Sequence, residues 1–584
     1  MNTITLPPFY YRDNFLQLLR RACQLPGALL TQREHQLTAC ALQLEPESLA
    51  LLVRLLTRKG NLFRSERMGW PELSSLDRPL EELRAKGWLR CIEPQDNVPE
   101  GGSMADGLAL YNRDELLVAF GKTLASQAGI PVSRLKGWRR QVLDQACLVA
   151  LEQGQLSRAD LQTASWWWLG SDCDGWLETL LLLYFGNLQQ SLTDFVLRDI
   201  GLARYETLHL DNGLCPFHDR AQLDAHRRLF HLAPDDDWLK QADQAALELR
   251  WQQLQTIIEV VEPQPFLQRR WQRVAVRLAR QAERVGAAEL ALCWYAHCSV
   301  HPARERRVRL LASSDPWQAL AGCREMVIAG GSEDEYQFVQ AFVPRLLRQL
   351  HKQPDASRLQ AEAVADWFQP SPAPAEINLV LPDDWKSRWP RVEQAVLDLL
   401  ATPETGFYVE NALICSVFGL LYWPVLFAPV EGAFFHPLQY RPDDLYERDF
   451  RARRQPWLAV VESELDTGQW IERIQTTLSE KAGMQNPFVY WEFALHAQEA
   501  GWFETLVRRI PVAHWRAIFE FIWKDPKAHR AGLPDLMLLT ADGGYQLLEV
   551  KGPGDQLQPN QKSWLAWFAS HDIPAAVLYA RPPP

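Results

Sequence analysis

The chain has 584 residues, 47% hydrophobic and 23% charged, with a net charge of −11 and an isoelectric point near 5.7. That length exceeds what one core supports, and the composition excludes a disordered or low-complexity chain, so several folded domains are expected. The acidic total excludes a uniformly basic nucleic-acid binder but leaves room for a local basic groove.

The opening "MNTITLPPFYYRDNF" has no basic segment followed by an apolar one, so no secretory leader is expected. No apolar run approaches the roughly 18 residues that span a bilayer. The ten cysteines are scattered and never form C-x-x-C; Cys215 and His218 stand without a second ligand pair at zinc spacing. The expected compartment is the reducing cytoplasm, with no membrane partner.

Residues 1–100 read as helices around a compact core, winged-helix-like toward their end. "ESLALLVRLLTRKGNLFRSERM" is amphipathic, and "PLEELRAKGWLRCIEP" reads as a helix running into a wing or strand. Arg54, Arg58, Lys59, Arg64 and Arg67 form a basic stripe, either a solvated helix face or a phosphate-contacting one. After the loop "PQDNVPEGGSMADG", a second helical region is expected over 101–160. Within it, residues 111–141 suggest a helix–turn–helix unit ending in Lys136, Arg139 and Arg140.

From 161 to 370 apolar residues recur at three- and four-residue spacing, as in "RRWQRVAVRLARQAERVGAAELALCWYAHC". Paired antiparallel helices of a solenoid are expected, resembling tetratricopeptide repeats without matching their signature residue by residue. Arg304, Arg306, Arg307 and Arg309 are the densest basic cluster here, read as a solvated helix face or a backbone-phosphate clamp. "WFQPSPAPAEINLVLPDDW", with Pro370, Pro372, Pro374 and Pro382, reads as a stiff linker over 371–390. Residues 391–584 mix helices with strands.

The last segment, "GLPDLMLLTADGGYQLLEVKGPGDQLQPNQKSW", predicts strand 535–539, a tight Asp-Gly-Gly turn, strand 545–551, helix 558–571 and strand 575–580. Alternation puts Glu549 and Lys551 on one face and Leu548 and Val550 on the other. Asp535 opens the facing strand. Buried charges are costly unless paired or bound to a metal. A plain ion pair of Lys551 with either acid is one resolution. Two carboxylates against one lysine leave an acid uncompensated, which a divalent cation resolves. Mg²⁺ and Mn²⁺ prefer carboxylate, carbonyl and water oxygens, which Asp535, Glu549 and the Val550 carbonyl would supply. Lys551 would then orient the water that attacks a phosphodiester.

Pro534-Asp535, with Glu549 fourteen residues on and then Lys551, matches the PD-(D/E)xK nuclease pattern. In the following helix Gln561 falls on one stripe with Trp564, Leu565 and Phe568, so it is expected to face the core and to need polar partners, a metal-bound water or a phosphate being one. Upstream, in "GFYVENALICSVFGLLYW", Glu410 shares a stripe with Leu413, Ile414, Val417, Phe418 and Leu421. A first-turn acid is favoured by the helix dipole alone; beside the hairpin it becomes a candidate fourth ligand.

"GLPDLMLL…LLEVKGPGDQL…NQKSW" resembles a VRR-NUC domain, and "YVENALICSVFGLLYWPVLFAPVEGAFFHPLQ" resembles the segment before that domain in bacterial members of the Fanconi-anaemia-associated nuclease family. The resemblance covers roughly residues 400–584 strongly and the remainder more faintly. It implies a mostly α, multidomain protein: an N-terminal and a SAP-like DNA-binding region, a helical-repeat region, and an α/β restriction-endonuclease-like nuclease. The implied activity is structure-selective cutting of 5′ flaps with 5′ to 3′ trimming, in interstrand crosslink repair. Carried over by motif, Glu410, Asp535, Glu549 and the Val550 carbonyl become ligands for Mg²⁺ or Mn²⁺, and Lys551 the catalytic lysine beside Gln561. Lys527 and Arg530 match basic positions that hold a terminal 5′ phosphate.

Two positions depart from the family pattern: Pro424 stands in place of an acid, and Asn560 in place of a lysine found in some relatives. The eukaryotic ubiquitin-binding zinc finger is absent from the sequence, which suits a bacterial origin. The implied partner is branched or flapped duplex DNA, bound by a monomer or a dimer. Two alternatives stand beside this reading: a Holliday-junction resolvase, which would need a symmetric dimer, and a catalytically inert helical scaffold.

Overall fold

The computed structural model describes residues 6–582 except 94, 95, 97, 162–165, 171, 209, 211–214, 263, 371, 372 and 403, with the backbone alone at 158 and 361. Pro372, on which the linker expectation partly rests, and residues 94, 95 and 97 of the expected loop lie outside the described residues. Two units emerge, one of residues 1–202 with 211–223, the other of residues 203–210 with 224–584.

The first unit packs helices around a three-stranded antiparallel sheet, β1 (Leu62–Arg64), β2 (Leu89–Ile92) and β3 (Trp166–Leu169), in the order β1-β3-β2. Between β2 and β3 the chain makes helices Met104–Ala109, Arg113–Ala128, Val132–Leu135 and Arg140–Glu152. The expected boundaries at 100 and 160 therefore differ from the division observed. Trp166 and Trp168 of β3 pack with Leu116, Phe120, Leu143 and Cys147 of the inserted helices and with Leu62 and Ile92 of the sheet. One shared core ties the inserted helices to the winged sheet.

In the second unit, successive helices Pro265–Arg284, Ala288–Ala296, Ala303–Ser314, Pro316–Ile328 and Glu333–Leu350 each pack on the next, as neighbours in a solenoid do. A five-stranded sheet follows: β4 (Glu376–Val380), β5 (Gly406–Tyr408), β6 (Leu536–Leu539), β7 (Tyr545–Lys551) and β8 (Ala575–Arg581), in the order β4-β8-β7-β6-β5. β4–β8 and β8–β7 are parallel; β7–β6 and β6–β5 are antiparallel. The proline-rich segment is thus more than a linker. Its Glu376–Val380 stretch escapes the flanking prolines and adds an edge strand to β8.

The hairpin follows its alternation. Tyr545 and Leu547, on the face of Glu549 and Lys551, enter a large core with Met537, Trp564 and Phe568. Leu548 and Val550 enter a second core with Leu536, Val396 and Leu578. Both faces of β7 are covered, which is why its charged residues are buried at all. In the same unit Arg454 has 0% of its side chain exposed. It donates two parallel bonds of 2.8 and 2.9 Å to Asp444 and lies 3.8 Å over the Phe450 ring.

Removing that guanidinium leaves the buried Asp444 carboxylate to Arg453 alone, at 2.7 Å, so Arg454→Ala is expected to destabilise this unit by about 1.5–3 kcal/mol, the range for hydrogen bonds to a charged group. Denaturant unfolding followed by tryptophan fluorescence measures it; a loss under about 1 kcal/mol would place the pair among exposed ones.

Candidate active site

β7 is central in its sheet, so Glu549 (1% exposed) and Lys551 (8% exposed) are carried inside by the strand that holds them. Lys551 Nζ lies 2.8 Å from Glu549 Oε1. Gln561, in the helix Pro559–Ser570, donates from Nε2 to the same Oε1 at 2.6 Å. Gln561 Oε1 accepts from the Gln558 backbone N–H at 2.8 Å, which fixes the amide's orientation. Gln561 thus finds a polar partner in Glu549. Glu549 Oε2 is buried without a hydrogen-bond partner.

Asp535 immediately precedes β6, and its Oδ2 accepts the Val550 N–H at 2.8 Å. Its backbone carbonyl accepts from the N–H groups of Val409 at 2.8 Å and Glu410 at 3.0 Å. Those two bonds determine where Glu410 sits, and they correct the expected helix stripe. The helix begins only at Ala412, and Glu410 stands before it in a left-handed turn at φ +30°. Its carboxylate accepts from Tyr408 Oη at 2.6 Å and from Asn411 Nδ2 at 3.2 Å. No local periodicity encodes such a turn.

Burial, then the neighbouring Asp535 charge, push the Glu549 carboxyl up to about 7 despite Lys551, with Glu410 adding to the effect. Burial, then Glu393 and Glu410, push Asp535 up to about 6 against the Val550 and Lys551 contacts. Glu393 was not singled out from sequence. It sits in the first turn of the helix Val392–Leu400, where any acid suits the helix dipole, so nothing local distinguished it.

One lysine therefore faces an excess of carboxylate. The donors are hard oxygens and one is an orphan, the set that suits Mg²⁺ or Mn²⁺. Among the described residues no three His, Cys, Asp or Glu side chains are gathered closely enough to hold an ion by themselves. The remaining positions would fall to carbonyl, phosphate or water oxygens, which Mg²⁺ retains readily.

Gly532 holds the geometry together. Its φ is +87°, and a Cβ there would stand 2.7 Å from the Asn560 side chain and 2.9 Å from the Asn560 carbonyl carbon. The start of the Gln561 helix can approach the Asp535 segment only because this residue has no side chain.

Comparison with known proteins shows the family. The VRR-NUC domain family matches residues 466–582 and the FAN1 HTH domain family residues 9–90. The Fanconi-associated nuclease 1 homolog of Pseudomonas aeruginosa is 32% identical over 585 residues, spanning 100% of this chain and 97% of that one. This chain belongs to the Fanconi-associated nuclease family. The Arabidopsis thaliana homolog is 23% identical over 98% of this chain and 67% of its own. A crystal structure of paFAN1 bound to DNA with a 2-nucleotide 5′ flap and a gap matches at TM-score 0.81 and 31% identity, covering 100% of both chains. This chain is accordingly a DNA nuclease, a phosphodiester hydrolase.

Pro424 and Asn560 each have a local role. Pro424 lies at the start of a short helix, Trp423–Leu426, after the preceding helix has ended at Leu421, as proline requires. Asn560 accepts the Gln561 N–H at 3.1 Å and packs on Gly532.

The candidate DNA-contacting residues divide. Arg54 is consumed internally: it pairs with Glu72 at 2.5 Å and lies 3.9 Å over the Tyr11 ring. Arg64 is buried between Glu66 and Glu115, at 3.2 and 3.1 Å. Arg140 pairs with Asp144 at 2.7 Å and donates to the Tyr111 and Leu108 carbonyls. These three hold the first unit together and do not form the expected basic grip. Arg67 remains exposed but pairs with Glu115 at 3.1 Å. Arg58, Lys59, Lys136, Arg139, Lys527 and Arg530 are exposed.

In the solenoid Arg304 pairs with Glu335 at 2.5 Å and Arg306 with Glu283, tying their helix to its neighbours, while Arg309 pairs with Glu305 at 3.0 Å one turn away in the same helix. A basic group missed from sequence lies elsewhere. Partial burial and the adjacent Arg273 lower Arg270 to about 10. Desolvation and the charges of Arg269 and Arg441 lower Arg273 as well. Arg441 lies 5.6 and 5.0 Å over the exposed rings of Tyr440 and Tyr446. Crowded arginines beside exposed aromatic rings are suited to phosphates and bases. The arginines of the helix Pro265–Arg284 were visible in sequence; Arg441, about 170 residues later, was not connected to them.

Two outcomes follow. Gly532→Ala is expected to displace the Gln561 helix and to cost about 1–3 kcal/mol through its backbone conformation, read by denaturant unfolding together with loss of cleavage. In metal-free protein, Asp535 has a raised folded pKa, so its contribution to stability is intact below about 4 and is lost as pH rises through about 6. Asp535→Asn keeps an acceptor for Val550 but does not ionise. Its stability relative to wild type should therefore rise across that window and level off above it; a pH-independent difference in EDTA would contradict the charge's burial.

Proposed function

We propose that this chain is a structure-selective, divalent-metal-dependent DNA nuclease. It incises duplexes at 5′ flaps and trims 5′ to 3′, in the repair of interstrand crosslinks. The observation that carries the reading is the convergence of Asp535, Glu549, Lys551 and Gln561 on one buried edge with an orphan carboxylate oxygen. Support for the substrate comes from paFAN1, whose crystal structures hold DNA with 1- and 2-nucleotide 5′ flaps. No helix among the described residues is long and apolar enough to cross a membrane, and the DNA of a nucleoid is the natural place of action.

A bound Mg²⁺ or Mn²⁺ would supply Lewis acidity toward the scissile phosphate and acidify the attacking water. Glu410, Asp535, Glu549 and the Val550 carbonyl would hold it, the three carboxylates closing in from positions that do not gather around one point without an ion. Asp535 is aligned for this by the Val550 N–H, and Glu549 by Gln561. Lys551, kept at the Glu549 carboxylate by burial, orients the attacking water and offsets charge growing on the phosphate. Lys527 and Arg530 would hold a terminal phosphate. Arg270, Arg273 and Arg441, with Tyr440 and Tyr446, would grip the strand near it, while Arg58, Lys59, Lys136 and Arg139 contact backbone phosphates.

The deciding experiment is cleavage of a 5′-flap DNA labelled at both ends, with Mg²⁺, Mn²⁺ or EDTA. Metal-dependent incision near the junction is expected. Asp535→Ala and Lys551→Ala should each lose about 10²–10³-fold or more in rate while remaining folded. Binding without cutting under every metal would leave an inert scaffold; cutting of four-way junctions alone would indicate a resolvase.

Salt dependence separates the arginines. Arg441→Ala should flatten the slope of log affinity against log salt by about one unit, whereas Arg54→Ala should leave the slope unchanged. Equal slopes for both variants would remove the arginine–tyrosine patch from the DNA path.

A further inference from the structure

Glu333 opens the solenoid helix Glu333–Leu350. A first-turn acid normally faces water, where the helix dipole favours it. This one is turned inward, with 14% of its side chain exposed. Its Oε1 accepts from Ser563 Oγ and, at 2.8 Å, from Gln337 Nε2. Gln337 also donates to Ser563. Its Oε2 lies 3.3 Å from His529 Nε2. His529 is itself 3% exposed, stacked 3.7 Å from the Phe521 ring, and bonded through Nδ1 to the Phe521 carbonyl. Burial alone would raise the Glu333 carboxyl, but the contacts from His529, Ser563 and Gln337 outweigh it and hold it below the ordinary range.

The two groups that Glu333 holds belong to different parts of the nuclease centre. Ser563 follows Gln561 by two residues in the helix Pro559–Ser570. Two helical residues are about 200° apart around the axis. Gln561 therefore reaches Glu549 from one side of this helix while Ser563 is anchored on the other. His529 sits between Lys527 and Arg530, just before the segment that ends in Asp535. One carboxylate from the solenoid is thus bonded to the helix behind Glu549 and lies against the segment bearing the phosphate-binding candidates, at a buried His529 nitrogen that has no hydrogen-bond partner.

We propose that Glu333 is a positioning residue for the nuclease centre. Through Ser563 it sets the catalytic geometry of Gln561 and Glu549, and through His529 it sets the placement of Lys527 and Arg530 toward DNA. This rests on the nuclease reading of the site. The solenoid is then part of the catalytic apparatus, because a side chain at its end determines where two functional segments lie.

The test uses the full-length protein with Ser563→Ala, Ser563→Thr, His529→Gln and Glu333→Ala. It combines steady-state kinetics on a 5′-flap duplex, Mn²⁺ calorimetry and flap-DNA binding. Ser563→Ala should lower kcat about tenfold and weaken Mn²⁺ binding by a similar factor with KM nearly unchanged, and Ser563→Thr should restore both. His529→Gln should raise KM and weaken DNA binding about tenfold with kcat nearly unchanged, and Glu333→Ala should show both defects. Uniform loss of active protein in all variants, with KM, DNA affinity and Mn²⁺ affinity of wild-type value, would overturn the proposal. Wild type that binds flap DNA without cutting it would instead overturn the nuclease reading, and the Mn²⁺ and DNA affinities of the variants would still decide the positioning role.

Discussion

The nuclease unit is organised around the cost of burying Glu549. A carboxylate with 1% of its surface exposed has lost nearly all of its hydration, and Asp535 and Glu410 add like charge beside it. The protein answers with one lysine and one amide on the same oxygen and leaves the other oxygen unpaired. That is poor design for stability and suitable design for receiving a cation: a site already compensated by protein groups would have no reason to bind one. The local instability is carried by the two cores on either face of β7, which keep the strand in place whether or not its charges are satisfied.

Precision in such a site depends on the pieces of chain that bring its residues together. Asp535, Glu410 and the Gln561 helix come from three separate elements, and each is tied by backbone or near-backbone contacts. The Asp535 carbonyl anchors the Glu410 turn, and Gly532 lets the helix start approach. Behind them stands Glu333, which reaches both the helix and the segment leading to Asp535. The acidic centre is thus held from its sheet, from its own loop and from the solenoid.

The basic residues teach a separate lesson about charge. A net charge of −11 says little about DNA contact, since many arginines are consumed by partners. Arg54 and Arg64 each have a carboxylate and an aromatic ring within reach, so their charge is used inside the fold. Arg270, Arg273 and Arg441 instead crowd one another, with Asp443 as the carboxylate among them and Glu447 taken by the adjacent Arg269, and this excess of positive charge suits an anion. Counting basic residues along a helix does not separate these cases; their partners do.

Local sequence determined the hairpin, its alternation and the helix after it. Turn residues and period-two burial act between neighbours, and β7 and its charged pair occupy the residues expected, as does the Gln561 stripe on Trp564, Leu565 and Phe568. The motif spacing of Asp535, Glu549 and Lys551 was legible for the same reason. Tertiary structure alone decided the rest. Glu410 was expected in a helix because its apolar neighbours have helical spacing, yet two hydrogen bonds to the Asp535 carbonyl, about 125 residues away in sequence, draw it into a left-handed turn. The proline-rich stretch became strand β4 because β8, some 200 residues later, offered an open parallel edge. Glu393, the arginine cluster and the inward turn of Glu333 were silent for the same cause. Periodicity reports which face of an element is buried, but not which distant element will cover it, and the partner determines whether a charge is exposed, neutralised or poised to act.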